Sequence, residues 1–357
     1  MPHDTLVLGA SVAGLTVARR LASKGYDVVV LDPNPEGRSA AIGHGVAAVG
    51  HASTIAAMAH AYGLAAAREH IERNLAGIRE IRRNAPDAET LPLRDRSLPG
   101  GDEEETRLVV GLLREAGAKA DLLVAPDGAS ILTEALTVDP TAYALSLRAA
   151  AVAAGAKVVQ SVTVTHIARR EGVTKVIFRD NRAWVREPGA TSGVSVVDTL
   201  GISPWGRAAR VGPAQWVPVV RGLPKRPRRE VSLEATSTAW LIRPIGDEAL
   251  ILGQKSSLSR IDRAVEELRD WAVDTLGLTG VEMGKLAIDP SDHGRPIVGA
   301  SAIPGGFYAR GNGRGELMNG TASGWYLYRL LADARRSGNA LPPLSQLRAA
   351  GMRLLKR

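Results

Sequence analysis

Apolar and polar positions alternate along the chain in a way that sets out its elements. Residues 4–8 and the run "DVVVLD" at 27–32 are continuous apolar stretches, and between them Val12–Ser23 repeats its apolar residues with helical spacing. Strand, helix and fully apolar strand in that order predict a βαβ unit whose strands are parallel and buried. Helical spacing next predicts one long helix from about Ser53 to Arg83. A Pro/Gly-broken stretch, "NAPDAETLPLRDRSLPGGDEEE", then reads as an exposed excursion, followed by a helix near Thr106–Ala116. The segment "ALTVDPTAYALSLRAAAVAAGAKVVQSVTVTHIA" reads as strand, Pro-started helix, glycine stop and two strands, and "VSVVDTLG" adds a buried strand ending at Gly201. From Trp216 to Gly253 the pattern is β-rich, and "SRIDRAVEELRDWAVDTLG" is an amphipathic helix stopped by Gly277. "GRPIVGA" and "GGFYARGNGRGE" lead to a last helix from Glu316 to about Ala334. The expected fold is α/β. A Rossmann-like domain with a doubly wound, mostly parallel sheet is assembled from residues 1–80, 135–210 and 285–357, and a β-rich cap from 81–134 and 211–284.

Composition narrows the class. At 357 residues the chain exceeds one ordinary core, and no apolar run reaches the roughly 18 residues of a membrane span. The N-terminus enters a strand without a basic, apolar signal segment, and there is no cysteine, so a cytoplasmic protein without disulfides or thiol chemistry is expected. Lys plus Arg exceed Asp plus Glu by eight, which favours anionic partners such as carboxylates and phosphates. The densest cluster, "KRPRRE" at 225–230, is Pro-interrupted and lacks aromatics, which argues against nucleic acid.

Chemistry enters with "LVLGASVAGLTVARRLASKGYDVVVLD", a dinucleotide fingerprint with Gly9, Ser11 and Gly14 at the three glycine positions. The first glycine permits the tight turn, the second lets backbone approach a pyrophosphate, and the third lets helix and strand pack closely. Serine at the second place is small and offers a hydroxyl donor beside the helix N-terminus formed by Val12 and Ala13. Asp32, 23 residues after Gly9, stands where a carboxylate accepts ribose hydroxyls and disfavours a 2′-phosphate. NAD and FAD are both compatible with this unit. A second Gly-rich turn, in "GRPIVGASAIPGGFYARGNGRGELMNGTASGWYLYRLL", runs into a helix whose N-terminus suits an anionic group.

With the fingerprint, this segment resembles the D-amino-acid oxidase, glycine oxidase and sarcosine-oxidase-like family of FAD enzymes. The likeness covers nearly the whole chain. "RSAAIGHGVAAVG" resembles the family's loop beside the flavin, "TVDPTAYALSLRAAAVAAGAKV" its VDP helix, "VVDTLGISPW" its third flavin-contacting strand end, and "AWLIRPIGDEALILG" the cap strand that faces substrate, all in the family's order. The resemblance implies FAD, and no metal, in a site formed by Gly9, Ser11, Val12, Ala13, Gly14, Asp32, Pro33, Ser39, Gly43, His44, Val164, Gly201, Gly311, Gly313, Arg314, Gly315, Glu316, Leu317 and Met318. It further implies hydride transfer from a carbon bearing an amine to flavin N5, giving an imine, with O2 reoxidising the flavin to yield H2O2. The helix N-terminus at Gly315–Met318 would stabilise the reduced ring.

The same resemblance marks candidate catalytic residues. Arg314 stands where glycine oxidases carry an arginine that binds the substrate carboxylate. A second family arginine falls on Ile288 of "KLAIDPSDHG", a departure that points to an ester, amide, amine, cyclic imine or carrier-modified acid rather than a free α-amino acid. His44 lies in the flavin-side loop beside a noncovalent FAD, and His51 follows with a weaker claim. Lys255, Arg243, Tyr308 and Arg310 end or follow strands aimed at the ring, and Lys255 would assist reaction with O2. Glu316 replaces a small residue of the family; it caps the last helix or acts on substrate. The expected partners are therefore a small-molecule amine, imine or modified amino acid and O2, with no membrane.

Two other readings compete. "GASVAGLTVARRL" and "APDGAS" also resemble FAD-dependent aromatic hydroxylases and halogenases. There the DG motif follows the VDP-like helix rather than preceding it, and a late GDAAH motif is missing here. A flavin-binding protein without turnover is the third reading.

Overall fold

The opening unit forms as its spacing dictates. β1 (His3–Leu8) leads into α1 (Val12–Ala22) and returns as β2 (Val28–Leu31), parallel to β1 with Leu8 opposite Leu31. All four β2 residues are buried, as a strand covered on both faces requires. The structure, a computed structural model, describes residues 2–336 apart from 37, 40–42, 50, 86, 183–187, 202–214, 290–294 and 302–303.

β3 (Val46–Ala48) is followed by α2 (Ala52–Tyr62) and α3 (Leu64–Asn84). The single helix expected over 53–83 is thus two, because Gly63 takes a φ of 87° and interrupts the ladder. The expected exposed excursion also contains structure. β4 (Glu89–Arg96) buries Leu93 and Asp95 on one face, an alternation hidden in the sequence by Arg94, Asp95 and Arg96. α4 (Glu103–Glu115) starts at Asp102, whose carboxylate accepts from Glu105 N at 2.9 Å. β5 (Asp121–Ala125) and β6 (Gly128–Thr137) form a hairpin, and α5 (Pro140–Ala153) begins with Asp139 as cap and Pro140 in its first turn.

β7 (Lys157–Val159), β8 (Val162–Arg170), β9 (Val173–Asp180) and β10 (Pro188–Asp198) come next. The β-rich stretch supplies β11 (Gln215–Leu223), β12 (Val231–Glu234), β13 (Ala239–Ile245) and β14 (Glu248–Gly253). α6 (Ile261–Leu276) stops at Gly277 in the left-handed region, and β15 (Thr279–Ile288), β16 (Ile297–Ala300), β17 (Gly306–Arg310) and α7 (Glu316–Arg336) complete the described chain.

Two sheets result. The first runs β16-β17-β10-β1-β2-β7, with β9 pairing β10 and β8; from β17 to β7 its strands are parallel. The second runs β15-β11-β14-β13-β12-β4-β6-β3, with β5 on β6, and only β12 and β4 in it are parallel. β3 therefore belongs to the second sheet, since Val46–Ala48 pair with Ala135–Thr137. In the first sheet Leu8 lies opposite both Leu31 and Asp198, and Asp198 opposite Tyr308, so four parallel strands end at one edge. That edge is where ligands of open α/β sheets bind. Among the described residues no helix is long and apolar enough to cross a membrane.

α7 lies against α1 at a distance set by glycines. A Cβ built on Gly324 falls 2.5 Å from Ala13 O, and one on Gly320 falls 3.1 Å from Val12 Cβ. Gly324→Ala is expected to destabilise the fold by about 1–3 kcal/mol in denaturant unfolding, because the backbone of α1 has no room to yield. Gly111→Ala, in α4 with open space around it, is expected to be neutral or to stabilise by up to about 1 kcal/mol.

Candidate active site

The turn between β1 and α1 is built on two contacts that only glycine allows. Gly9 has a φ of 105°, and a Cβ on it would lie 2.4 Å from Leu200 Cγ; a Cβ on Gly14 would lie 2.0 Å from Gly9 O. Ser11 is the helix cap. Its hydroxyl accepts from Gly14 N at 3.1 Å and donates to Thr199 Oγ1 at 2.8 Å, so it ties the turn to the end of β10 rather than standing free. The N–H groups of Val12 and Ala13 belong to the opening turn, whose donors lack intrahelical acceptors.

Asp32 follows β2, fully buried. Its carboxylate accepts from Ala10 N at 2.9 Å, from Asn34 N at 3.2 Å and from Ser39 Oγ at 2.8 Å, which binds it to the same turn. Burial pushes its pKa above the ordinary carboxylate value, against those donors. Pro33 O accepts from Asn181 Nδ2 at 3.2 Å. Val162 donates its N–H to Asp32 O at 2.9 Å; Val164, two residues on, pairs across β9 with Phe178 instead. Gly201 has a φ of 70° and donates to Asp198 Oδ1 at 2.7 Å, with the Arg310 guanidinium packed over its Cα.

The second Gly-rich turn is held by Asp289. Its carboxylate pairs with Arg310 at 2.8 Å and accepts from Gly311 N at 2.6 Å, while its carbonyl accepts from Gly313 N at 3.0 Å. Gly311 and Gly313 take φ of 71° and 60° in this bend, which runs through Gly315 into Glu316 at the head of α7. Leu317 and Met318 bury in the core shared with α1. Two helix N-termini thus open toward the same sheet edge.

Two staples fix the loop at Gly43–Val46 to this framework. His44 Nε2–H donates to Arg314 O at 2.6 Å and Nδ1 accepts from Val46 N at 3.2 Å, a neutral tautomer that burial holds down to a pKa of about 4. Arg243 donates to His44 O at 2.6 Å and to Val138 O at 2.9 Å. The glycine at 45 is required, since a Cβ there would meet Val138 O at 2.2 Å.

The wall of the site is Trp240. β13 slips register between Ala239 and Leu241, and the extra residue is Trp240, whose buried ring stands edge-on to His44 and His51 at centroid distances of 5.3 and 4.9 Å. Arg314 lies over that ring at 4.2 Å, with Nη2 on Gln254 Oε1 at 3.2 Å. Among the described residues no carboxylate pairs with Arg314, and desolvation brings its pKa down to about 9. Trp240 and Arg314 both border two cavities. One, of about 460 Å³, is polar and includes His51, His70, Ser97, Gln254, Lys255 and Asn319. The other, of about 20 Å³, lies among Gly43, His44, Ile288, Leu286 and Glu316.

Charge in these cavities is positive and unbalanced. Burial first, then the neighbouring His44 and Arg314, push His51 down to about 3, and desolvation with the Arg314 charge lowers Lys255. Glu234 borders the larger cavity but pairs with Arg96 at 3.1 Å. Glu316 is the other acid, and burial, reinforced by Asp289, pushes its pKa up to about 8.

The structure brings together Arg314, His44, Lys255, Gly43, Gly313, Gly315 and Glu316 around the cavities. Gly9, Ser11, Asp32 and Ser39 gather at the turn. Tyr308 is set apart on β17, its ring beside Gly299 of β16, and borders neither cavity. Arg243 and Arg310 serve backbone and Asp289 rather than a cavity, because both are drawn to acceptors within the fold. Sequence spacing does not single out Trp240, His70, Asp289 or Thr199. The Asp-Pro at the end of β15 and the lone tryptophan in "AWLIRPI" were the available signals. Among the described residues no group of three His, Asp or Glu could hold a metal.

Known proteins share this fold. The chain is similar in structure to glycine oxidase from Geobacillus kaustophilus, at a TM-score of 0.68 and 16% identity over 93% of this chain and 95% of that one. It is also similar to iminodiacetate oxidase from Chelativorans sp. BNC1, at 0.63 and 18% over 96% and 98%. A third likeness is to L-alpha-glycerophosphate oxidase from Mycoplasma pneumoniae with FAD bound, at 0.63 and 12% over 93% and 95%. No curated protein sequence matches it. Residues 4–330 match the family DAO, FAD dependent oxidoreductase. With two helix N-termini at the carboxyl edge of a parallel sheet and a β-walled pocket beside them, the chain belongs to the DAO family of FAD-dependent oxidoreductases.

Proposed function

We propose that this enzyme oxidises a C–N bond of an amine or amino-acid-derived substrate, with hydride passing to FAD and O2 as final acceptor. The glycine and iminodiacetate oxidases it resembles in structure act, by their names, on such amines. In this reading the first sheet with α1, α5 and α7 is the cofactor-binding part, and the second sheet, with α6, is the substrate-binding part.

The residues present fit FAD. Gly9 and Gly14 leave a turn with no side chain over it, and the Val12 and Ala13 N–H groups suit a pyrophosphate. Asp32 suits ribose hydroxyls, and the opening turn of α7, from Gly313 to Met318, suits the electron-rich pyrimidine end. FAD, when bound, supplies the hydride acceptor at N5 and the route to O2, giving H2O2. The chain's own residues bind and orient the substrate and keep water from the pocket. Leu286 and Ile288 make one wall apolar, and Trp240 closes another.

The observation that carries the proposal is Arg314. A guanidinium in a desolvated pocket, stacked on Trp240 and without an acidic partner among the described residues, is complementary to one carboxylate. Lys255 also lines the larger cavity, and its charge favours entry of an anion.

Purified protein is expected to be yellow, to release H2O2 when an amine that bleaches its flavin is added in air, and to oxidise NADPH slowly. Rapid NADPH oxidation with no amine-dependent peroxide would instead establish a hydroxylase. Arg314→Leu is expected to lower kcat/KM on the order of 100-fold, chiefly through KM. Desolvation lowers the pKa of Arg314, but a guanidinium stays protonated in a folded protein, so carboxylate affinity is expected to be flat from about pH 6 to about pH 8 in the wild type and weak throughout that range in Arg314→Leu.

A further inference from the structure

Two motifs that the flavin site does not use, "KRPRRE" and "APDGAS", border cavities on one face of the second sheet. β4 turns Leu93 and Asp95 to the core and Pro92, Arg94 and Arg96 to that face. β12 runs parallel beside it, with Ser232 opposite Arg94 and Glu234 opposite Arg96. Arg228 donates to Ser232 Oγ at 3.2 Å, Glu230 pairs with Arg94 at 3.5 Å, and Glu234 pairs with Arg96 at 3.1 Å. These contacts mark a strip along the two strands. At one end is a wide groove of about 840 Å³ between Pro92, the 224–230 segment and the end of α6. Midway, a cavity of about 290 Å³ is lined by Arg94, Arg96 and the glycines at 100, 101 and 128. It shares Glu234 and Ala235 with the larger cavity of the active site, which is the other end. At ~3.3 Å per residue the run from Arg229 to Ala235 reaches at most roughly 20 Å, the length of a flexible arm rather than of a free amino acid.

Charge divides the strip. In the wide groove Lys225, Arg226, Arg228 and Arg229 meet, among the described residues, the acids Asp274 and Glu230, and Glu230 is engaged by Arg94. Midway the charges cancel, because Arg94 and Arg96 pair with Glu230, Asp127 and Glu234. At the far end Arg314 and Lys255 again leave a positive excess. A ligand that matches the whole strip is anionic at both ends and neutral between them. Leu223 and Val273, next to the segments that line the wide groove, are 48% and 41% exposed, and no aromatic residue is among its described lining. That surface offers apolar contact to a protein and nothing on which a base could stack.

We propose that the wide groove docks an acidic carrier domain of another protein, and that the substrate reaches the larger cavity as the tip of a flexible arm on that domain, laid along the strip over Arg94 and Arg96. The substrate is then tethered to a protein rather than free in solution. This rests on the reading of the larger cavity as the substrate site given above. Docking on the cationic groove speeds encounter and raises the local concentration of the tip. The neutral middle of the arm crosses Arg94 and Arg96 without needing a counter-charge, since both already have one. The tip then meets Trp240 and Arg314.

The test uses the FAD-loaded enzyme and four synthetic probes: hexaglutamate, hexaglutamate with a neutral ethylene-glycol arm of roughly 20 Å ended in a carboxylate, the same with an arm of roughly 7 Å, and the long arm alone. The long-arm probe is expected to bind at least about 30-fold more tightly than hexaglutamate and to perturb the flavin spectrum. The short-arm probe is expected to bind like hexaglutamate and to leave the flavin unchanged. Arg226→Glu combined with Arg229→Glu is expected to weaken hexaglutamate and the long-arm probe about tenfold or more, while the free arm perturbs the flavin as before. Ala235→Trp, at the rim shared by the two cavities, is expected to remove the advantage of the long arm and spare hexaglutamate. Equal affinity for the two arm lengths, or no loss in the double variant, would overturn the proposal. So would tighter binding of an oligothymidylate of equal charge, or of vesicles of anionic lipid, with the same sensitivity to the double variant, which would give the groove to nucleic acid or to a membrane. If hexaglutamate binds but neither the free arm nor the long-arm probe perturbs the flavin, the larger cavity is not the substrate site and the tethered route falls with it, leaving the groove a docking surface alone.

Discussion

The close approach of α7 to α1 is the constraint on which the site depends. Gly320 and Gly324 let the backbones touch at Val12, Ala13 and Thr16, and Gly14 lets the head of α1 rest on Gly9 O. Because both helices start at the same sheet edge, their unsatisfied N–H groups and positive dipole ends point into one region. A side chain at Gly320 or Gly324 would push α7 away from α1, and one at Gly14 would push the head of α1 off the Gly9 turn. Asp289, Asp198 and Asp32 then hold the connecting turns with carboxylate-to-backbone bonds, so that the region is rigid before any ligand arrives.

The second sheet contributes a different kind of order. It brings a bulged tryptophan against the same edge, where Arg314 and three histidines held neutral, His44, His51 and His70, gather from the neighbouring loops and α3. Burial and like charge work in one direction on all of them: each cation raises the cost of charging its neighbours. The imidazoles discharge, Lys255 titrates lower, and Arg314 keeps its charge without an acid to offset it. Such a pocket favours an anion by exclusion of alternatives as much as by attraction, and the one acid facing its apolar wall, Glu316, is itself shifted toward neutrality.

Much of this was legible beforehand. The parallel strands, α1, α5 and α6 announced themselves through apolar runs, Asp-Pro caps and stop glycines, which act within one turn of chain. Gly9, Gly14 and Asp32 could be placed because the turn they make is local. The break at Gly63 and the strand at Glu89–Arg96 were not legible, since the first is one residue in a strong helical pattern and the second owes its alternation to partners 40 residues away. A serine at position 11 is compatible with the local turn, but its bond to Thr199 joins residues 188 apart and so is not a local property.

The sequence alone therefore determined the family, the tight turn from Gly9 to Gly14 and the identity of the two unusual side chains, Ile288 and Glu316. Those are properties of local spacing and of motif order. Only the tertiary structure decided that these two border one small cavity, that Arg243 and Arg310 are spent on the fold, that Tyr308 stands away from it, and that Trp240 is its wall. Contacts of that kind depend on strand register and on how two sheets meet, and no stretch of chain carries them by itself.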